Sequence, residues 1–119
     1  MTTQEIASRL HSYCSAGKFK EALKDLFARD AVSIEPDNTP GFDKETKGLD
    51  AMLKKSEQFD SMVDQVHGIK ASQPVVAGNA IAMSLDMDVT MKGRGRTNMA
   101  EVCVYTVKDG KIVREEFFW

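Results

Sequence analysis

A chain of 119 residues, 42% hydrophobic and 29% charged with a formal charge of -2, is sized for one domain over residues 1–119. Such a domain buries roughly two thirds of its extended surface around a single core. A pI near 5.7 excludes a broad electrostatic attraction to nucleic acid or to an anionic membrane. No stretch approaches the ~20 apolar residues of a membrane span and no basic segment precedes an apolar run, so a cytoplasmic protein is expected.

Thr2 and Glu5 have the spacing of a capping box, and Ile6, Leu10 and Tyr13 recur at helical intervals until Gly17, predicting a helix near residues 3–16. A second helix carries the stripe Phe19, Ala22, Leu23, Leu26 and Phe27. Val32 to Glu35 reads as a short strand ended by Pro36. From Pro36 to Lys47 the chain is rich in Asp, Asn, Pro and Gly, the chemistry of a loop, placed to edge a pocket. Leu49, Met52, Leu53, Phe59 and Met62 mark a third helix from about Leu49 to Ser61.

After Val63 the pattern turns to strands, punctuated at Gly78-Asn79, Gly93-Arg94-Gly95 and Asp109-Gly110. Ile81, Met83, Leu85, Met87, Val89 and Met91 alternate with smaller or polar residues, giving a long strand with one strongly apolar face. Pro74 cannot donate to a ladder and predicts an edge or bulge between Ala71 and Val75. Helices first and antiparallel strands second imply an α+β domain in which three helices cover one face of a curved sheet.

The last nineteen residues carry the most functional information. A two-residue type I′ turn at Asp109-Gly110 pairs Val107 with Ile112, Tyr105 with Arg114, Cys103 with Glu116 and Glu101 with Phe118, all on one face. The opposite face then holds Val102, Val104, Thr106, Val113, Glu115, Phe117 and Trp119. Centring the preceding turn on Arg94 pairs Met87 with Glu101 and Met83 with Tyr105, setting a methionine-rich face beside acid and phenol. A one-residue slip would instead turn Asp86 and Asp88 to that face. His67 shares the parity of Ile69 and Ala71, which favours an inward imidazole.

Leu26-Phe27-Ala28-Arg29-Asp30-Ala31, Glu35-Pro36, Gly48 with Ala51, Asp109-Gly110-Lys111-Ile112 and the closing Phe117, Phe118 and Trp119 occur in an order that resembles the nuclear transport factor two-like superfamily, with its SnoaL-like and ketosteroid isomerase-like domains. The resemblance covers nearly the whole length. It implies a cystatin-like cone of three N-terminal helices on a curved, mixed or antiparallel sheet, a pocket between them, and dimerisation through the outer sheet face. That face is expected to present Val102, Val104, Val113, Phe117 and Trp119. The isomerases' catalytic carboxylate, just before a proline at the end of the first strand, falls on Glu35. Their oxyanion-hole tyrosine and protonated acid fall near Leu10 and Cys103, so steroid isomerisation is not supported; Tyr13, one turn away, and Glu101, two residues away, leave room for a different donor set.

Burial disfavours the charged form of a carboxylate and can hold it protonated near neutrality, which makes Glu101 a candidate acid. The resemblance adds Glu35 by its position, and His67 is a candidate base or donor, so these three are the candidate catalytic residues, with Tyr13, Tyr105, Arg114, Glu116, Met83 and Met87 the candidate ligand contacts. Histidine occurs only at His11 and His67, and no ligand spacing suggests a metal site; no cofactor is expected. Cys14 and Cys103 read as buried, reduced thiols. Two functional classes follow. One is a small-molecule acid–base enzyme of isomerase, cyclase or hydratase type acting on an apolar or partly polar molecule in an enclosed pocket. The other is a noncatalytic dimeric module of the same fold that binds a ligand or a protein.

Overall fold

The computed structural model describes residues 1–37 and 41–119. Its elements run α1 (Thr3–Ser15), α2 (Phe19–Leu26), β1 (Phe27–Ile34), β2 (Glu45–Lys47), α3 (Leu49–Met62), β3 (Val63–Ala71), β4 (Val75–Ala77), β5 (Ala80–Met91), β6 (Gly95–Lys108) and β7 (Lys111–Phe118). The expected loop from Pro36 to Lys47 ends in the short strand β2, and its residues 38–40 lie outside the described residues. None of the described helices is long and apolar enough to cross a membrane.

α1 starts where the sequence says it should. The Thr2 hydroxyl accepts from the Glu5 amide at 3.1 Å and the Glu5 carboxylate accepts from the Thr2 amide at 3.0 Å, so two otherwise orphaned N–H groups are satisfied reciprocally. Ile6, Leu10 and Leu26 are fully buried against the sheet, each burial stabilising by about 2 kcal/mol.

The sheet is mixed, in the order β2-β1-β7-β6-β5-β3, with β4 pairing β5 beyond the end of β3. β1 and β7 run parallel and the other pairs antiparallel. Pro74 lies in the gap between β3 and β4, where no ladder donor is required. β5 alternates strictly, with Ile81, Met83, Leu85, Met87, Val89 and Met91 buried toward the helices. The three helices and this sheet make the α+β architecture that the element order implied.

The registers differ from expectation in two instructive ways. The β5–β6 turn closes one residue earlier, pairing Met91 with Gly95, so Met87 faces Met99 and Leu85 faces Glu101. This is a shift of two residues in pairing, which preserves which face each side chain occupies. Asp109 and Gly110 both have positive φ, 52° and 75°, as a type I′ turn demands, and Val107 pairs with Ile112 as expected. Beyond it, Val113 is an extra residue: Thr106 pairs with Arg114 and Tyr105 with Glu115. A bulge of this kind exchanges the two faces of the strand beyond it. Glu115 and Phe117 turn inward, while Arg114, Glu116 and Phe118 turn outward.

Candidate functional site

A cavity of about 390 Å³ lies between the helices and the face of the sheet that they cover. Its walls are largely aromatic and methionine side chains, among them Phe19, Phe27, Phe59, Met87, Tyr105 and Phe117. Into this apolar surface project Glu35, Lys55, Glu101 and Glu115, with Asp60 and Arg94 also on its wall.

Lys55 reaches the cavity because α3 presents Met52, Lys55, Ser56 and Phe59 at i, i+3, i+4 and i+7, one stripe of the helix. Its ammonium lies 2.7 Å from Glu35 Oε1, donates to Ser33 Oγ at 2.8 Å, and stands 5.6 Å from the centre of the Phe117 ring. The Ser33 hydroxyl in turn donates to Glu115 Oε1 at 2.8 Å. This chain of contacts depends on two local irregularities. A register shift between Phe27 and Val32 aligns Ser33 with Glu115 across the parallel β1–β7 pair, and the bulge at Val113 turns Glu115 toward it.

Burial pushes the Glu115 carboxyl up to about 7, opposed by the Ser33 hydrogen bond and the Lys55 charge. Burial likewise pushes Glu101 up to about 7, reinforced by the negative charge of Glu35. The described partner of Glu101 is weak, the Cys103 thiol at 3.7 Å. Tyr105 is buried edge-on to Phe27, ring centres 6.3 Å apart, and its phenol is held well above its ordinary range by burial. Burial raises the Cys14 thiol to about 12 and the Cys103 thiol beyond it, so neither free cysteine is a ready nucleophile.

The structure thus brings Glu35, Glu101, Tyr105 and Met87 to the cavity, and it relocates other residues that the sequence had placed there. His67 points outward, exposed, with Nε2 2.7 Å from Thr90 Oγ1. The cause is a break in the β3–β5 ladder between Val66 and Gly68, which cancels the parity inferred from Ile69. Arg114 and Glu116 are corrected to the outer face, where they pair with each other at 3.0 Å, because of the Val113 bulge. The same bulge moves Phe117 from the expected outer set to the cavity wall, and Trp119, 61% exposed, also lines the cavity. Tyr13 packs its ring against the core but donates its hydroxyl to Asp25 Oδ2 at 2.9 Å, in a cluster with Arg9 on the outer side of the helices. Met83 is buried in the core without lining the cavity.

Sequence reading missed Lys55, Ser33 and Glu115. Lys55 was detectable as a charge within the apolar stripe of α3. Glu115 and Ser33 depend on bulges that no residue type announces. Among the described residues, no group of three or more His, Cys, Asp or Glu side chains is arranged to hold a metal ion.

The family model of the SnoaL-like domain matches residues 1–119. A crystal structure from Mesorhizobium loti, described by inference as a SnoaL-like polyketide cyclase, is 34% identical with a TM-score of 0.91 over 100% of both chains. A protein of unknown function with a cystatin-like fold from Xanthomonas campestris is 21% identical, with a TM-score of 0.82 over 99% of this chain and 90% of the other. A nuclear transport factor two-like protein of unknown function from Burkholderia pseudomallei is 16% identical, with a TM-score of 0.81 over 100% of this chain and 92% of the other. The comparison with curated proteins finds no match. Matched from residue 1 to residue 119, the chain belongs to the SnoaL-like domain family, on a cystatin-like, nuclear transport factor two-like fold.

Proposed function

We propose that this protein binds a small, largely apolar molecule bearing a carbonyl group and moves a proton on it, as an isomerase, cyclase or hydratase does. The observation that carries this reading is Glu101. Its carboxyl lines an apolar cavity, burial raises its ionisation to about 7, and no cation among the described residues pairs with it directly. Such a group can take and return a proton at neutral pH with little energetic bias either way. Of the two activities in the description of the Mesorhizobium loti relative, polyketide cyclase and carbohydrate phosphatase, the first supports the same chemistry, because an aldol-type ring closure starts with loss of a proton from the carbon next to one carbonyl, and that carbon then attacks a second carbonyl.

The test is hydrogen–deuterium exchange at the carbons next to the carbonyl of 1-indanone, 2-tetralone and 1-phenylbutane-1,3-dione in D₂O, followed by proton NMR. A saturable rate above buffer is expected for at least one ketone, falling by roughly 10²- to 10⁴-fold in Glu101→Gln. Buffer-level exchange of all three, or an undiminished rate in the variant, overturns the assignment.

A noncatalytic module that holds a ligand without transforming it is the second reading. It is favoured by Glu35: the carboxylate at the isomerase-like position is engaged by Lys55 at 2.7 Å and is not a free base. For either reading we infer a homodimer through the outer face of β6 and β7. In support, Val102 and Phe118 are directly paired there and 46% and 49% exposed.

A further inference from the structure

We infer that Lys55 is the oxyanion-binding group of this site, holding the substrate's carbonyl oxygen at the Glu35 end of the cavity while Glu101 exchanges the proton. The inference rests on the proton-transfer reading and departs from the isomerase-like assignment, which puts the catalytic carboxylate at Glu35. The first-strand carboxylate Glu35 becomes a positioning residue, and the late-strand carboxylate becomes the acid–base group.

Three observations lead there. The Lys55 ammonium has three N–H donors, and among the described residues Glu35 and Ser33 hold two of them, at 2.7 and 2.8 Å. Its side chain is only 18% exposed and forms part of the cavity wall. A lysine pinned this way has already lost its rotamer freedom and presents a fixed, mostly buried positive charge, which suits it to stabilising charge as it develops. Finally, the described cations on the cavity wall are Lys55 and Arg94, and Arg94 is an exposed residue of the β5–β6 turn.

Charge balance defines the substrate. Glu35 already neutralises Lys55, so while Glu101 is ionised the cavity carries net negative charge and opposes an entering anion; that opposition is lifted only once Glu101 holds a proton. A neutral ketone does not face that cost. When Glu101 removes the proton, the C–H bond breaks and its electron pair forms a carbon–carbon double bond. The carbonyl π pair moves onto oxygen, and the proton ends on the Glu101 carboxylate. Negative charge thereby leaves Glu101 as it appears beside Lys55, and the net charge of the cavity is unchanged. Returning the proton to the same or another atom regenerates both groups. The substrate class is therefore a neutral, enolisable ketone or 1,3-diketone with an apolar body.

The test uses 4-nitrophenol, whose neutral and ionised forms absorb at different wavelengths, as a stand-in for enol and enolate. It is titrated with pH on Glu101→Gln, which mimics the protonated acid and needs no proton transfer to bind the probe. Roughly tenfold or tighter binding of phenolate over phenol is expected. That preference should fall severalfold when Ser33→Ala is added and disappear when Glu35→Gln and Lys55→Met are added together. Circular dichroism verifies folding, and Ser33→Ala, which keeps the ion pair, decides the matter if the charge-free variant does not fold. No binding, no phenolate preference, or a preference indifferent to Ser33→Ala overturns the role of Lys55. Failure of the proton-transfer reading shows separately, as ketone exchange undiminished in Glu101→Gln.

Discussion

Glu101 and Glu115 each ionise near pH 7 in the folded chain, against an ordinary value of 4.5. From about pH 4.5 to 7 the folded state therefore retains protons that the unfolded chain has released. Stability linked to these groups is fully present below 4.5, is lost as pH rises through 7, and is level above that. The loss is on the order of a few kcal/mol per group, since each pKa unit is worth about 1.4 kcal/mol. Urea unfolding at pH 5 and pH 8 should show the higher midpoint at pH 5, and Glu101→Gln should narrow the difference. A midpoint that rises with pH would mean that the two carboxyls are held ionised rather than neutral.

Among the elements, legibility follows how local the determinant is. The three helices, the alternation of β5 and the type I′ turn were readable because each depends on residues within one turn or one strand. α1 is a clear case: Thr2→Ala removes a hydroxyl that accepts the Glu5 amide, and a loss of about 1 kcal/mol in unfolding free energy is expected by denaturant titration. The two bulges were not readable. Each adds one residue to a ladder and exchanges faces beyond it, and neither Val113 nor His67 is a residue that signals such a step. Glu101 and Tyr105, on the regular part of β6, were placed correctly. Arg114, Glu116, Phe117 and His67 were misplaced because counting parity assumes an unbroken ladder. Glu115 was hidden by the Val113 bulge and Ser33 by the register shift between Phe27 and Val32 in the β1–β7 pair, while Lys55 was hidden only because the stripe of α3 was traced through its apolar members.

At the level of the molecule, the proposed self-association must use a face altered by the same bulge. With Phe117 directed to the cavity, Phe118 replaces it on the outer surface beside Val102. Sedimentation velocity of the unmodified chain is expected to give twice the monomer mass, and Val102→Ser with Phe118→Ser the monomer mass. An unmodified chain that sediments as a monomer removes the proposal.

The parallel seam between β1 and β7 has a kinetic consequence. Ser33 and Glu115, 82 positions apart, meet across it, so the Lys55–Ser33–Glu115 relay is made of partners from distant parts of the chain. Such high contact order costs loop-closure entropy before any contact repays it. During synthesis on the ribosome, the helices and the β3–β6 strands can gather first, but β1 stays unzipped on one flank until the last strand emerges. The polar floor of the cavity is therefore assembled late, and until then an uncovered strand edge is open to misassociation.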